Sequence, residues 1–297
     1  MSHDITKIAI PTSALLAIGL DDPYTNYPHY GACSVWHADH PTSPPYTLRQ
    51  DYSEEHLRII EAYGIDMPRL SNFIQRTRAV GGVVARLTLC LACFIMLFRE
   101  DSDAEFVISC VAYGVDMDYT PPEGLAFFRV ANYVSDGHVE KVTVQIQKEI
   151  REGRIVRTTI DRVIGISAIG AVRKGVDGIR IVNDYSRPVL QSVNSGIATR
   201  KESFAKVSHA AKLLRPRALH CKVDITEAYR SYPMAEAWWS RHAFEWQGVL
   251  YSDLRMPFGN SGAPSAFHRF STAFARLIMS HDFPAVVAYL DDFWLSA

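Results

Sequence analysis

Ala285-Val-Val-Ala-Tyr-Leu-Asp-Asp-Phe-Trp-Leu-Ser296 is the stretch whose reading decides the fold of this chain. Small and β-branched apolar residues lead into Tyr289 as a strand. Leu290-Asp-Asp292 then reads as a tight turn, and Phe293-Trp-Leu295 begins a return strand. An Asp-Asp pair in a surface turn is common and says little alone. Here the pair lies between two apolar strands, and Asp291 follows by 67 positions another acid, Asp224, that ends the β-run Leu219-His-Cys-Lys-Val-Asp224.

Acids at strand ends of one sheet are held rigidly and can be brought within a few ångströms of each other. Adjacent carboxylates repel unless a cation neutralises them. Hard divalent ions with oxygen ligands do this, and Mg²⁺ is the usual one where phosphates complete the shell, with Mn²⁺ as its substitute. Two such ions about 3.5–4 Å apart can activate an attacking 3′-oxygen and stabilise a leaving pyrophosphate. Asp224, Asp291 and Asp292 are therefore the candidate catalytic and metal-binding residues.

Outward from the acids, His242-Ala-Phe-Glu-Trp246 and Val249-Leu-Tyr251 flank Gln247-Gly248 and predict a hairpin. Pro264 opens a helix in a favoured first-turn position, with Phe267, Phe270, Phe274, Leu277 and Ile278 on one face. Further upstream, Ile164–Ile169, Ala171–Arg173 and Ile179–Val182 are short β-type runs, the last two joined by the turn Lys174-Gly-Val-Asp-Gly178. They predict a small antiparallel sheet with a basic tip. Val139, Val142, Ile146 and Ile150 recur at helical spacing and predict a helix over 139–152, ended by Gly153.

These segments resemble the motifs of retroelement reverse transcriptases, in order and spacing, over about residues 127–297. Lys222-Val-Asp-Ile-Thr-Glu-Ala-Tyr-Arg230 resembles the first catalytic motif, Met256-Pro-Phe-Gly-Asn-Ser-Gly-Ala-Pro264 the second, and Tyr289-Leu-Asp-Asp292 the third. Gly178–Pro188 resembles the fingers motif and Ser192–Ile197 the segment after it. The Pro-Phe-Gly wording leans toward the long-terminal-repeat and tyrosine-recombinase retrotransposons.

The resemblance implies an α+β fold: right-hand polymerase fingers over 121–217 and an incomplete palm of antiparallel sheet and packed helices over 218–297. An N-terminal region of unknown fold, 1–120, precedes them. It implies an RNA-directed DNA polymerase acting through two Mg²⁺ or Mn²⁺ ions on deoxynucleoside triphosphates, with an RNA or DNA template and its primer. Asp224, Asp291 and Asp292 would hold the ions with the backbone carbonyl of Ile225. Lys174 and Arg180 match residues that clamp the triphosphate, Tyr229 the aromatic that excludes a 2′-hydroxyl, and Gly259 a glycine that lets backbone approach the nucleotide. Phe258 stands in the nucleotide site where many relatives have glutamine, and Ala263 where many have serine. The family's palm continues past the Asp-Asp turn into a primer grip and a helical thumb, so the sequence predicts a fragment with weak primer–template binding. A catalytically inactive nucleic-acid-binding remnant is the alternative reading.

A basic stretch inside an acidic chain suits a phosphate backbone or a triphosphate, or is a solvated basic face. The net charge is -1, but Lys148–Arg217 holds 15 Lys and Arg against 6 Asp and Glu, and the remainder holds 16 against 26. Five cysteines, an odd number without framework spacing, favour a reduced, intracellular setting, cytoplasmic or nuclear. Cys90 and Cys93 lack a second ligand pair and read as buried thiols, and Cys33, His37 and His40 lack a fourth ligand. No basic-then-apolar leader opens the chain. The apolar run Leu87–Phe98 is short for a membrane span of about 20 residues and predicts a buried helix or strand. The proline-rich Asp21–Pro45 reads as a loop or extended arm, and 51–63 as a helix.

Overall fold

A computed structural model describes residues 46–175, 177–198, 202–214, 216–281 and 285–296. The proline-rich arm, with Cys33, His37 and His40, lies outside the described residues. The described chain opens on five helices: α1 (Glu54–Tyr63), α2 (Met67–Ala79), α3 (Arg86–Leu89), α4 (Leu91–Phe98) and α5 (Ala104–Tyr113). Local chemistry sets their ends. Ser53 accepts from the His56 amide at the start of α1, Asp66 accepts from the Arg69 amide at the start of α2, and Gly64 takes the left-handed turn between them at φ 92°. The apolar run 87–98 is helical on either side of Cys90 and mostly buried; Met96 is exposed, and of the two cysteines expected to be buried Cys93 is, while Cys90 is part-buried. No helix of the described residues is long and apolar enough to cross a membrane.

Next come β1 (Phe128–Arg129), α6 (Val139–Arg151), β2 (Ile155–Arg157), β3 (Gly165–Ile166), β4 (Ala168–Lys174), β5 (Gly178–Asp184) and α7 (Val207–Leu213). They are followed by β6 (His220–Asp224), α8 (Ala228–Ser231), α9 (Glu236–Trp239), β7 (Ala243–Trp246), β8 (Val249–Asp253), α10 (Ala263–Ser280), β9 (Ala285–Tyr289) and β10 (Asp292–Ser296). The sheets among the described residues are antiparallel, β6-β10-β9, β2-β8-β7 and β4-β5, apart from a short parallel pair, β1-β3. The β7–β8 hairpin turns through left-handed Gln247 and Gly248, as the Gln-Gly pair predicts. The β-run expected over 164–169 is broken at Ser167. Its first half pairs with β1, 37 positions upstream and without a local mark, and its second half extends the expected hairpin with β5.

One hydrophobic core runs from the opening helices to the last strand. Phe98 and Phe94 meet Phe274 of α10 edge to face at 5.1 and 6.2 Å, and Phe106 lies 5.1 Å from Phe270. Ion pairs from the same helix reinforce the contact: Arg276 to Asp101 at 2.6 Å and Arg269 to Asp103 at 2.7 Å. Helices α4 and α5 and the loop between them thus pack against the helix that supports the Asp-Asp turn. A second cluster, with Val142, Ile146, Ile169, Phe244 and Tyr251, fills the space between α6 and strands β4, β7 and β8.

Helix α6 departs from its expected apolar stripe. Ile150 is exposed, and Glu149 is buried beside Val142 and Ile146. Positions 142, 146 and 149 share a face at 3.6 residues per turn, and 150 lies one residue around. Glu149 tolerates burial because Arg230 pairs with it at 2.7 Å, while the other guanidinium nitrogen of Arg230 pairs with Asp253 at 2.7 Å. The three side chains are 11%, 11% and 4% exposed. Burial works against the charge on Arg230, but its two carboxylate partners outweigh that and hold it above the usual arginine range. Removing one partner of such a group leaves charge buried without compensation. Arg230→Met is therefore expected to cost about 3–5 kcal/mol in denaturant unfolding; a loss below about 1 kcal/mol would show that Glu149 and Asp253 do not depend on it.

Candidate active site

The three acids predicted from sequence come together through strand register. Asp292, first residue of β10, lies opposite Asp224, last residue of β6, and also opposite Tyr289 at the end of β9. Asp291 occupies the turn between β9 and β10. Two bonds fix that turn. Leu290 takes a left-handed φ of 52°, and its carbonyl accepts from the buried Ser271 hydroxyl of α10 at 2.6 Å. The Ile225 amide donates to the Asp291 carbonyl at 3.0 Å, which sets the Ile225 backbone beside the turn.

Clustering of like charge has a visible electrostatic effect. The Asp224 carboxyl is held above the ordinary carboxylate range by its partial desolvation, then by the charges of Asp291 and Asp292. A cation is already present: Lys222 Nζ contacts Asp292 Oδ1 at 2.8 Å, and its own pKa is raised, chiefly by that hydrogen bond. Among the described residues no three His, Cys, Asp or Glu side chains converge as a ready metal-holding group. The backbone gathers three hard oxygen-donor side chains, the class that Mg²⁺ and Mn²⁺ take, and one of them holds an ammonium instead. The donors fit such an ion in chemistry.

Tyr229 follows on the short helix α8. Its ring meets Phe258 at 5.4 Å and Phe267 at 5.0 Å, both edge to face, and it is half-buried. Burial first, then the nearby Asp291 and Tyr289, push its hydroxyl up to about 12. The loop that carries Asp224 into α8 is clamped by cations from α6 and its end. Glu227, at a left-handed φ of 53°, accepts from Lys148 at 2.9 Å and pairs with Arg154. These partners, Arg154 foremost, pull its pKa down to about 2.

The basic hairpin β4–β5 stands next to this group. Arg180 lies opposite Val172, and Lys174 opposite Gly178, so both cations occupy one face of the ribbon. The Arg180 guanidinium lies over the Phe258 ring, 4.6 Å from its centroid. Phe258 thus joins Arg180 to Tyr229. Lys174 sits at the exposed tip, where no contact ties it to the acids. Gly259 closes the joint between hairpin and acid-bearing sheet. Its φ is 103°, and a Cβ there would sit 1.9 Å from the Asn183 carbonyl oxygen of β5. The Asn183 amide donates to the Phe258 carbonyl, and the Asn194 side chain donates to the Gly259 carbonyl.

No protein-family model matches the chain, and no curated protein matches it in sequence. Solved structures do match. A foamy viral protease–reverse transcriptase in complex with an RNA/DNA hybrid aligns with a TM-score of 0.50 at 14% identity, over 88% of this chain and 31% of that one. The fold is reverse-transcriptase-like. A foamy viral protease–reverse transcriptase (dRH) in complex with double-stranded DNA gives a TM-score of 0.49 at 15% identity, over 88% and 40% of the two chains. The prototype foamy virus protease–reverse transcriptase CSH mutant gives 0.49 at 19% identity, over 62% and 23%. The chain spans less than half the length of each of these proteins.

Sequence reasoning missed the residues that hold the site in place. Ser271, Glu227 and Arg230 act across 19 to 81 positions, and no local pattern marks them. Lys222 did leave a signal, since residues two apart on a strand share a face, so it had to stand beside Asp224. Gly259 was read for its closeness to nucleotide, and what lies against it is the backbone of β5. Gly259→Ala is expected to destabilise the chain by more than the about 1–3 kcal/mol of backbone strain alone, because the new Cβ also meets a carbonyl that sheet pairing holds. Calorimetric melting of the variant checks this, and an unchanged melting temperature would contradict it.

Proposed function

We propose that this chain supplies the nucleotidyl-transfer centre of a retroelement RNA-directed DNA polymerase, with fingers over 121–217 and palm over 218–297. The observation that carries the reading is the register setting Asp292 against Asp224, with Asp291 in the adjoining turn. The fold likeness to a protein solved with an RNA/DNA hybrid supports a template and primer as partners. The Pro-Phe-Gly wording of 257–259 supports a long-terminal-repeat or tyrosine-recombinase element.

In this reading Asp224, Asp291 and Asp292, aided by the Ile225 carbonyl, hold two Mg²⁺ or Mn²⁺ ions. When bound, such ions activate the primer 3′-oxygen and stabilise the departing pyrophosphate. The protein's own part is positioning and charge, and no covalent protein intermediate is needed. Arg180 and Lys174, on one face of the hairpin, attract the triphosphate of an incoming deoxynucleotide. Phe258 supports Arg180 from beneath, in place of a polar contact. Tyr229, wedged edge-on between Phe258 and Phe267, fills the space a 2′-hydroxyl would need.

The test is single-nucleotide addition to a DNA primer on an RNA template by the full chain with Mg²⁺, together with Mn²⁺-dependent retention of a deoxynucleoside triphosphate. Both are expected in the wild type and lost in Asp224→Asn and Asp292→Asn, and Tyr229→Ala is expected to raise the share of ribonucleotide added. Unchanged addition by the Asn variants, or neither addition nor retention by the wild type, would overturn the reading.

A further inference from the structure

We propose that Lys222 is a built-in counter-cation of the acid cluster, holding the Asp292 carboxylate until a divalent ion displaces it. The inference rests on the reading of Asp224, Asp291 and Asp292 as a metal centre and concerns how that centre is kept before the ion arrives. Lys222 faces Trp294 across the β6–β10 ladder, so Asp292 is its diagonal neighbour. A diagonal of about 7–8 Å between Cα atoms is within reach of a long side chain, and Nζ closes it to 2.8 Å from Oδ1. His220, Lys222 and Asp224 alternate onto one face of β6, and Asp292 and Trp294 onto the same face of β10. His220 and Trp294 stack at 5.0 Å across the strands on that same face.

Among the described residues Lys222 is the cation that pairs with any of the three acids. Three carboxylates at adjacent strand ends repel, and one ammonium relieves part of that repulsion. The pair is open to water, with the Lys222 and Asp292 side chains 66% and 44% exposed, so its hold is weak and reversible. A divalent ion and the ammonium compete for the same carboxylate. Lys222 therefore lowers affinity for the free ion and leaves the site to be completed when an ion arrives with the phosphates of a nucleotide.

The experiment measures Mn²⁺ binding to the full chain without nucleotide, from the electron paramagnetic resonance signal of free Mn²⁺. Lys222→Met, which keeps the stem and removes the charge, is expected to bind Mn²⁺ about 2- to 10-fold more tightly than wild type, and Lys222→Arg to bind like wild type. If Lys222→Met does not fold, Lys222→Gln makes the same comparison. Equal or weaker binding by the neutral variant, with binding lost in an Asp291→Asn, Asp292→Asn form, overturns the counter-cation and leaves the metal centre standing. Absence of Mn²⁺ binding from wild type and neutral variant alike overturns both.

Discussion

Strand β10 lies between β6 and β9, and the placing of every candidate catalytic group depends on that pairing. Because side chains alternate along a strand, a slip of one residue would turn Asp292 to the opposite face and bring Phe293 out of the core. Phe293 and Leu295 are buried and hold the register from below. Above, the same register aligns Asp292 with Asp224. The burial of two apolar side chains thus fixes the alignment of the two acids. Helix α10 completes the constraint, since it packs on the core through its phenylalanines and reaches the turn through Ser271.

A second layer of order comes from charge. Lys148 and Arg154 hold Glu227, and Arg230 joins Glu149 to Asp253. These pairs tie the segment after Asp224 to α6 and β8, so the position of Tyr229 is set by elements on both sides. The excess of basic residues over 148–217 therefore has two uses. Some of it pairs within the chain, with Glu149, Glu152 and Glu227, and some stands exposed on the β4–β5 ribbon. Counting charge in the sequence cannot separate the two, because pairing is a property of the fold.

Much of the candidate site was legible because its signals are local. The Asp-Asp turn, the acid-ended strand, the Gln-Gly hairpin and the proline-led helix each announce themselves within a dozen residues, and all four form where the sequence places them. Reading failed where the deciding contact is distant. Ile150 belongs to the periodic pattern yet faces water, because Glu149 finds its partner 81 positions away. The pairing of β2 with β8 and of β1 with β3 has no local mark. The docking of the opening helices onto α10 rests on aromatic packing and on Arg269 and Arg276, which in sequence look like any surface charge. Phe258 could be seen to replace a polar residue, but only the fold reveals that Arg180 rests on it.

The account stands or falls on whether the acids gathered by β10 hold a pair of ions. Crystals of the chain grown with Mn²⁺ and a deoxynucleoside triphosphate, examined by anomalous scattering at the manganese edge, answer this directly. The account predicts two peaks about 3.5–4 Å apart, in contact with the carboxylates of Asp224, Asp291 and Asp292, with Lys222 turned away from Asp292. Manganese bound elsewhere, with the Lys222–Asp292 pair intact and no density between Asp224 and the turn, would contradict it.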